Sequence, residues 1–168
     1  MTEVWDQYKH RLIGGWRAIS YELRDSDSPD AKVVAKPHGD HPLGRAVVTP
    51  NGFLSAHLAN PERSRSGPLP SGEPWQTGED KEVARVARGL SMYCGYLKLL
   101  QEEGSNEDEG LWWETTVEVC SDPARFGGKE RRKVKFVKDQ REGKVGSELM
   151  ELRPFQDLVT EVREDRPF

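Results

Sequence analysis

The chain has 168 residues, enough for one domain with a real core. Only 35% of the residues are hydrophobic and 32% are charged, which predicts a heavily solvated outer surface or long polar loops. The net charge of −4 gives no electrostatic reason to expect nucleic acid, and no segment is long and apolar enough to read as a membrane span.

The first residues lack the apolar run of a secretory signal, which leads to an expected cytoplasmic location. Residues 1–13 read as a helix over roughly 3–12, capped by Thr2. Val4, Trp5, Tyr8 and Leu12 recur at helical spacing, suited to plugging one end of a barrel. Gly14-Gly15 ends it. Residues 16–24 read as a strand with Ile19, Tyr21 and Leu23 on one face and Trp16, Ala18, Ser20 and Glu22 on the other. After a polar turn over 25–30, Lys32 to Lys36 is a weak strand. Residues 37–42 form a loop whose His38, Asp40 and His41 lack the spacing of a metal site.

Gly44 to Leu58 reads as strand, turn, strand, since Asn51-Gly52 is a strong hairpin signal. A two-residue turn sets Val48 opposite Ser55 and Ala46 opposite His57, with Val47, Thr49, Leu54, Ala56 and Leu58 on the other face. Either face can serve as the interior. Residues 60–78 are rich in Pro, Gly and Ser, and a connection this long reads as a flap near a pocket mouth. Thr77 to Asp80 resembles a capping box, opening a helix with Val83, Val86, Ala87 and Leu90 on one stripe.

Residues 92–102 and 111–121 form the next hairpin. A turn centred on Glu107 pairs Leu97 with Val117, Leu99 with Thr115, Gln101 with Trp113 and Cys94 with Cys120. This register makes one face apolar and the other charged, so the first belongs inside. It also puts Glu118 on the surface and sets the two cysteines side by side as reduced thiols. Residues 131–138 and 147–153 form another hairpin, and 157–163 a final strand. Lys129 to Lys135 is a basic run read as the exposed face of a strand, except that Arg132 alternates with Val134 and Phe136 and turns inward with them. Arg153 reads the same way. The predicted fold is all-β, an antiparallel barrel of eight to ten strands with two short helices, forming a single domain over residues 1–168. Closure removes exposed edges, and an uncovered edge would favour a homodimer.

Gly14-Gly15-Trp16-Arg17-Ala18-Ile19-Ser20-Tyr21-Glu22 resembles the opening strand G-x-W-x-hydrophobic-x-S-x-E of the small lipocalin-like domain family. That family is common in bacteria and in fungal biosynthetic gene clusters. Pro42-Leu43-Gly44 and Thr49 to Ala56 resemble its Y-T-P-D-G-x-M-S-A hairpin. Arg88 to Gly95 resembles its R-G-Y-x-A-Y-x-G junction. Val117-Glu118-Val119, Pro123, Gly127 and Arg131-Arg132 resemble its later strands and proline turn. The resemblance covers roughly residues 12–163 and implies a lipocalin-like barrel with an internal ligand cavity. Thr115 and Thr116 stand where the family pattern has a His pair, and Val48 where it tends to have Tyr.

The expected ligand is a small hydrophobic molecule, with no cofactor and no metal. Three candidate catalytic residues follow from their positions. His57 beside Ser55 reads as a lumen imidazole able to donate or accept a proton. Tyr93 is a rim phenol able to orient a carbonyl, and Arg132 an inward guanidinium that needs an anionic partner. The candidate ligand-binding residues are Ser55, Leu97, Leu99, Trp113, Thr115, Val117 and Phe136. Such a barrel suits cofactor-free isomerisation, cyclisation or dehydration, by orienting a substrate and stabilising developing charge. The alternative is a non-catalytic carrier. A cone-shaped α+β isomerase would need a long N-terminal helical hairpin where residues 16–60 read as strands.

Overall fold

The computed structural model describes all residues except 27, 29, 64–68, 140–147, 154–156 and 165–168, and describes 157–164 by backbone alone. The elements run β1 (Thr2–Glu3), α1 (Trp5–Leu12), β2 (Gly14–Arg24), β3 (Val33–Ala35), β4 (Leu43–Val48), β5 (Phe53–Ala59), α2 (Asp80–Ala87), β6 (Leu90–Gln101) and β7 (Leu111–Cys120). A 3-10 turn (Pro123–Arg125), β8 (Lys129–Lys138), β9 (Glu148–Arg153) and β10 (Asp157–Glu164) complete the chain. No described helix is long and apolar enough to cross a membrane.

Eight strands pair with their neighbours, all antiparallel, in the order β2-β4-β5-β6-β7-β8-β9-β10, and β10 returns to β2 to close the ring. β1 extends the end of β6, and β3 extends the end of β2. Each of the eight ring strands has a paired neighbour on both sides, with β4 covering only Gly14 to Arg17 of β2.

The β4–β5 register differs from the expected one. Thr49 pairs with Phe53 across a three-residue loop: Gly52 N–H donates to the Thr49 carbonyl at 2.9 Å and Thr49 N–H to the Phe53 carbonyl at 2.9 Å. Pro50 suits the second position of this turn, and Gly52 takes the left-handed conformation that closes it, at φ 79°. Val48 therefore faces Leu54, and Ala46 faces Ala56. One residue of slip exchanges the faces. Ala46, Val48, Leu54, Ala56 and Leu58 are buried, while Ser55 and His57 turn to the outside.

The β6–β7 register is also displaced, but by two positions, which preserves the faces. Leu97 faces Thr115, Leu99 faces Trp113 and Gln101 faces Leu111. The expected turn at Glu107 is instead a nine-residue loop. Its left-handed residues Gly104, Asp108 and Gly110 shift its centre, and Gln101 Nε2 donates to the carbonyls of Asn106 and Glu109. A register shift between Cys94 and Gly95 then sets Cys94 opposite Val119 and Tyr93 opposite Cys120. The cysteines are free and are not partners: Cys94 lies beside outward Ser55, and Cys120 packs against the core. A similar shift at Ala18–Ser20 against β10 lets Trp16, Ala18 and Tyr21 all reach the core, so the strict alternation expected of β2 fails there.

α1 closes one end of the barrel. Thr2 pairs with Gln101 rather than capping the helix, which starts at Trp5, and Tyr8 and Leu12 are buried. Trp16 Nε1 donates to the Leu12 carbonyl at 2.8 Å, tying the helix to β2. α2 lies at the opposite end, before β6. Its capping box does not form: Glu79 is the N-cap and has no side-chain bond, and none of its residues is fully buried. The described part of the expected flap folds onto α2, with Ser71 N–H and Oγ both donating to Glu82. Residues 64–68 of that segment lie outside the described residues. His38 is buried at this end, bonded to the Gly89 carbonyl at 3.1 Å and edge-on to Tyr21.

Candidate functional site

The alternation of β8 sorts its basic run. Lys129, Arg131, Lys133 and Lys135 are exposed, whereas Glu130, Arg132, Val134 and Phe136 turn inward. Under the outer cations lies Glu114, buried on the outside of β7 and bonded to Lys129 at 3.2 Å and Arg131 at 2.5 Å.

On the inner side, β7 sets Trp113 opposite Arg132 and Thr115 opposite Glu130. Trp113 and Thr115 are both buried, and the indole Nε1 donates to Thr115 Oγ1 at 2.5 Å, which satisfies two buried polar groups at once. Tyr93 on β6 completes this wall, buried and packed with the core.

A second guanidinium arrives from the β7–β8 connection. Asp122 accepts from Ala124 N–H at 3.0 Å and Pro123 opens the 3-10 turn, so the chain reverses and brings Arg125 back over the barrel end. Arg125 grips Glu130 with both branches of its fork, Nε to Oε1 and Nη2 to Oε2 at 2.7 Å. Arg132 Nη2 donates to the same Oε2 at 3.2 Å. Both guanidinium carbons lie over the Tyr93 ring, at 4.7 Å for Arg125 and 5.8 Å for Arg132. The side chains of Arg132, Glu130 and Arg125 are 11%, 20% and 22% exposed, so the cluster sits at the α2 end, largely but not wholly closed to water.

All three ions stay charged. Burial pulls the Arg132 pKa down, but Tyr93, Glu130 and Tyr21 outweigh it and raise it above its usual value. The Glu130 bond raises Arg125 against its own burial. Burial pushes Glu130 up, yet the two guanidiniums win and hold it below the usual carboxylate range. The cluster can therefore hold or stabilise negative charge, and it is poorly placed to shuttle protons at neutral pH.

The sequence-predicted residues divide. Tyr93, Arg132, Trp113 and Thr115 meet in this cluster, and Leu97, Leu99 and Val117 are buried in the core with them. Phe136 faces inward but at the α1 end, stacked 6.5 Å from Tyr8 and covered by Arg11 at 3.8 Å; it belongs to the plug. The expected lumen positions of His57 and Ser55 are corrected by the β4–β5 register. His57 is exposed opposite Arg45, its Nε2 lies 3.0 Å from Ser55 Oγ, and it lines an open groove of about 490 Å³ with Leu43 and Met92, whose floor includes the inward-facing Ala18, Gly44 and Leu58. Arg153 is corrected too. Met150 and Leu152 take the inward positions of β9, and Arg153 turns out to bond Glu151 at 3.1 Å. Glu118 and Thr116 are exposed, as the favoured reading of Glu118 required.

Sequence reasoning missed Arg125, Glu130 and Tyr21. Glu130 was within reach, because it stands two residues from Arg132 and shares its face. Arg125 carries no local signal, since its place depends on the chain turning back. No curated protein and no solved structure matches this chain. The lipocalin-like domain family matches residues 13–161, from the start of the ring to its last strand, and the chain belongs to that family.

Proposed function

We propose that this protein binds a small hydrophobic molecule at the α2 end of its barrel and catalyses the molecule's cofactor-free isomerisation, cyclisation or dehydration. The fold points to small hydrophobic ligands. Leu97, Trp113 and Val117 supply an apolar floor for the body of the guest, and Tyr93 and Arg132 receive its oxygen function. The observation that carries the reading is the single Tyr93 ring set against two fixed cations, facing an apolar wall. Charge that develops on an enolate or alkoxide there meets a guanidinium already in place, and this preorganisation lowers a barrier without proton transfer to the cation. In this scheme the Tyr93 hydroxyl donates a hydrogen bond to that oxygen.

Use as a carrier, without chemistry, is the second reading. It is favoured by the pKa directions: Glu130 is driven down and both arginines up, away from the neutral range where a general acid or base works best.

Titration with N-phenyl-1-naphthylamine, a neutral dye that brightens in apolar sites, tests the binding. Bound dye accepts energy from Trp113, so Trp113→Phe reduces the transfer, while His57→Ala on the outer face leaves dye binding unchanged. Absence of dye binding, or its loss in His57→Ala, would overturn the site. Mass spectrometry of the molecule released on denaturation, followed by its incubation with fresh protein, separates the readings: a change in the molecule that Arg132→Met abolishes supports catalysis, and recovery unchanged supports a carrier.

A further inference from the structure

The open groove beside His57 is built by strand register. Side chains on one face of a sheet recur at every second residue. Arg17 pairs with Arg45, Arg45 with His57, and His57 with Met92, so these side chains form one row across β2, β4, β5 and β6. Two residues along, towards the α2 end, Leu43 pairs with Ala59 and Ala59 with Leu90 in a second row. Both rows line the groove, and the inward-facing Ala18, Gly44 and Leu58 lie between them.

The residues in the middle are small. Ala59 stands between two leucines and notches the second row. Gly44 lies so close to β2 that an added Cβ would stand 2.5 Å from the Ala18 Cβ. Rows on one face are about 7 Å apart, and three strand spacings span about 14 Å. These are the proportions of one extended chain laid across the strands. The volume of about 490 Å³ falls in the range of small-molecule sites.

The two rows differ in chemistry. The first carries two guanidiniums and an imidazole, and the second is aliphatic. No carboxylate lines the groove among the described residues. On the flanking segments, Glu22 pairs with Arg24 at 2.7 Å and Asp40 with Lys36 at 2.7 Å. Arg17 and Arg45 each make a further interaction of their own. A guanidinium has five donors in a planar fork suited to a carboxylate, so one neighbour does not exhaust it. Leu43 and Met92 are 58% and 37% exposed, which leaves apolar surface open beside this basic row.

We propose that this groove is a second binding site, for a medium-chain alkyl carboxylate. The carboxylate meets Arg45, flanked by Arg17 and His57. The alkyl chain crosses Gly44 and Leu58 and runs past Ala59 towards Leu90 and Met92. This site does not depend on binding inside the barrel.

Two-dimensional amide NMR of the whole protein, titrated with octanoate at physiological salt, locates the site. The expected result is a shift of the Gly44, Ala59 and Met92 amides while the Trp113 indole N–H stays in place. Octanoate should bind at least fivefold tighter than 1-octanol, and octylammonium should be weaker than both. Butyrate, which has the head and little of the tail, should be at least fivefold weaker than octanoate. Arg45→Gln should bring octanoate to within twofold of octanol. Ala59→Leu fills the notch without touching the charge and should weaken octanoate at least fivefold. Shifts at the Trp113 indole with none in the groove would overturn the site and move the chain inside. Absent shifts, equal affinity for octanoate and octanol, or an octanoate affinity unchanged in both variants would overturn it too. Interior binding is read separately by N-phenyl-1-naphthylamine, so either site can fail alone.

Discussion

Replacing Glu130 by Gln tests whether the interior cluster is held together as described. The carboxylate takes both branches of Arg125 and one branch of Arg132. The amide keeps one acceptor oxygen, presents an N–H₂ group to a guanidinium, and leaves two cations facing each other under a largely closed barrel end. Breaking a buried ion pair by removing one partner costs about 3–5 kcal/mol. Glu130 and Arg125 each remain about one-fifth exposed, so the lower end applies, about 3 kcal/mol. For a domain of this size that corresponds to a fall in Tm of roughly 6–12 °C. Urea unfolding followed by circular dichroism reads it directly. The double variant Glu130→Gln/Arg132→Met removes the second cation with its partner, and should recover at least half of the loss. That recovery is a coupling which additive effects do not produce. A single-variant loss under about 1 kcal/mol, or strict additivity in the double variant, would refute the shared-carboxylate account.

Three further outcomes are expected. At Gly95, an added Cβ would stand 1.9 Å from the Thr116 carbonyl oxygen, so Gly95→Ala should cost several-fold more stability in urea than Gly104→Ala, whose site is open and whose cost comes from its φ of 78° alone. Thr115→Val leaves the Trp113 N–H buried without its acceptor and should destabilise by about 1–3 kcal/mol, measured by chemical denaturation. His38 has its pKa lowered first by burial, against the Gly89 hydrogen bond. The unfolded chain then binds the proton more readily, so the contribution of neutral His38 is full above the unfolded pKa of about 6.5 and is lost as the pH falls towards the folded value. Thermal melts should show a smaller drop between pH 7.5 and 5.5 in His38→Gln than in the wild type; equal drops would sink the assignment.

Much of the fold could be read from the chain alone, because the signals that set it are local. Turn residues mark where strands end, and period-two alternation marks which residues share a face. Even a two-position error between β6 and β7 left Leu97, Leu99, Trp113, Thr115 and Val117 on the inner face. Between β4 and β5 the same kind of error, by one position, sent His57 to the wrong side. The three-residue loop closed by Gly52 decided that, and Asn-Gly by itself does not distinguish it from a two-residue turn.

The candidate site divides along the same line. Sequence alternation by itself determined that Arg132 points inward with Val134, and it held the means to add Glu130. Tertiary structure alone decided that Arg125 returns across the Pro123 turn to share that carboxylate, that Tyr93 lies beneath both cations, and that Phe136 serves the plug. The face of a strand is a property of neighbouring residues. The company a buried charge keeps is settled by ring closure and strand tilt, which bring together residues from four separate elements.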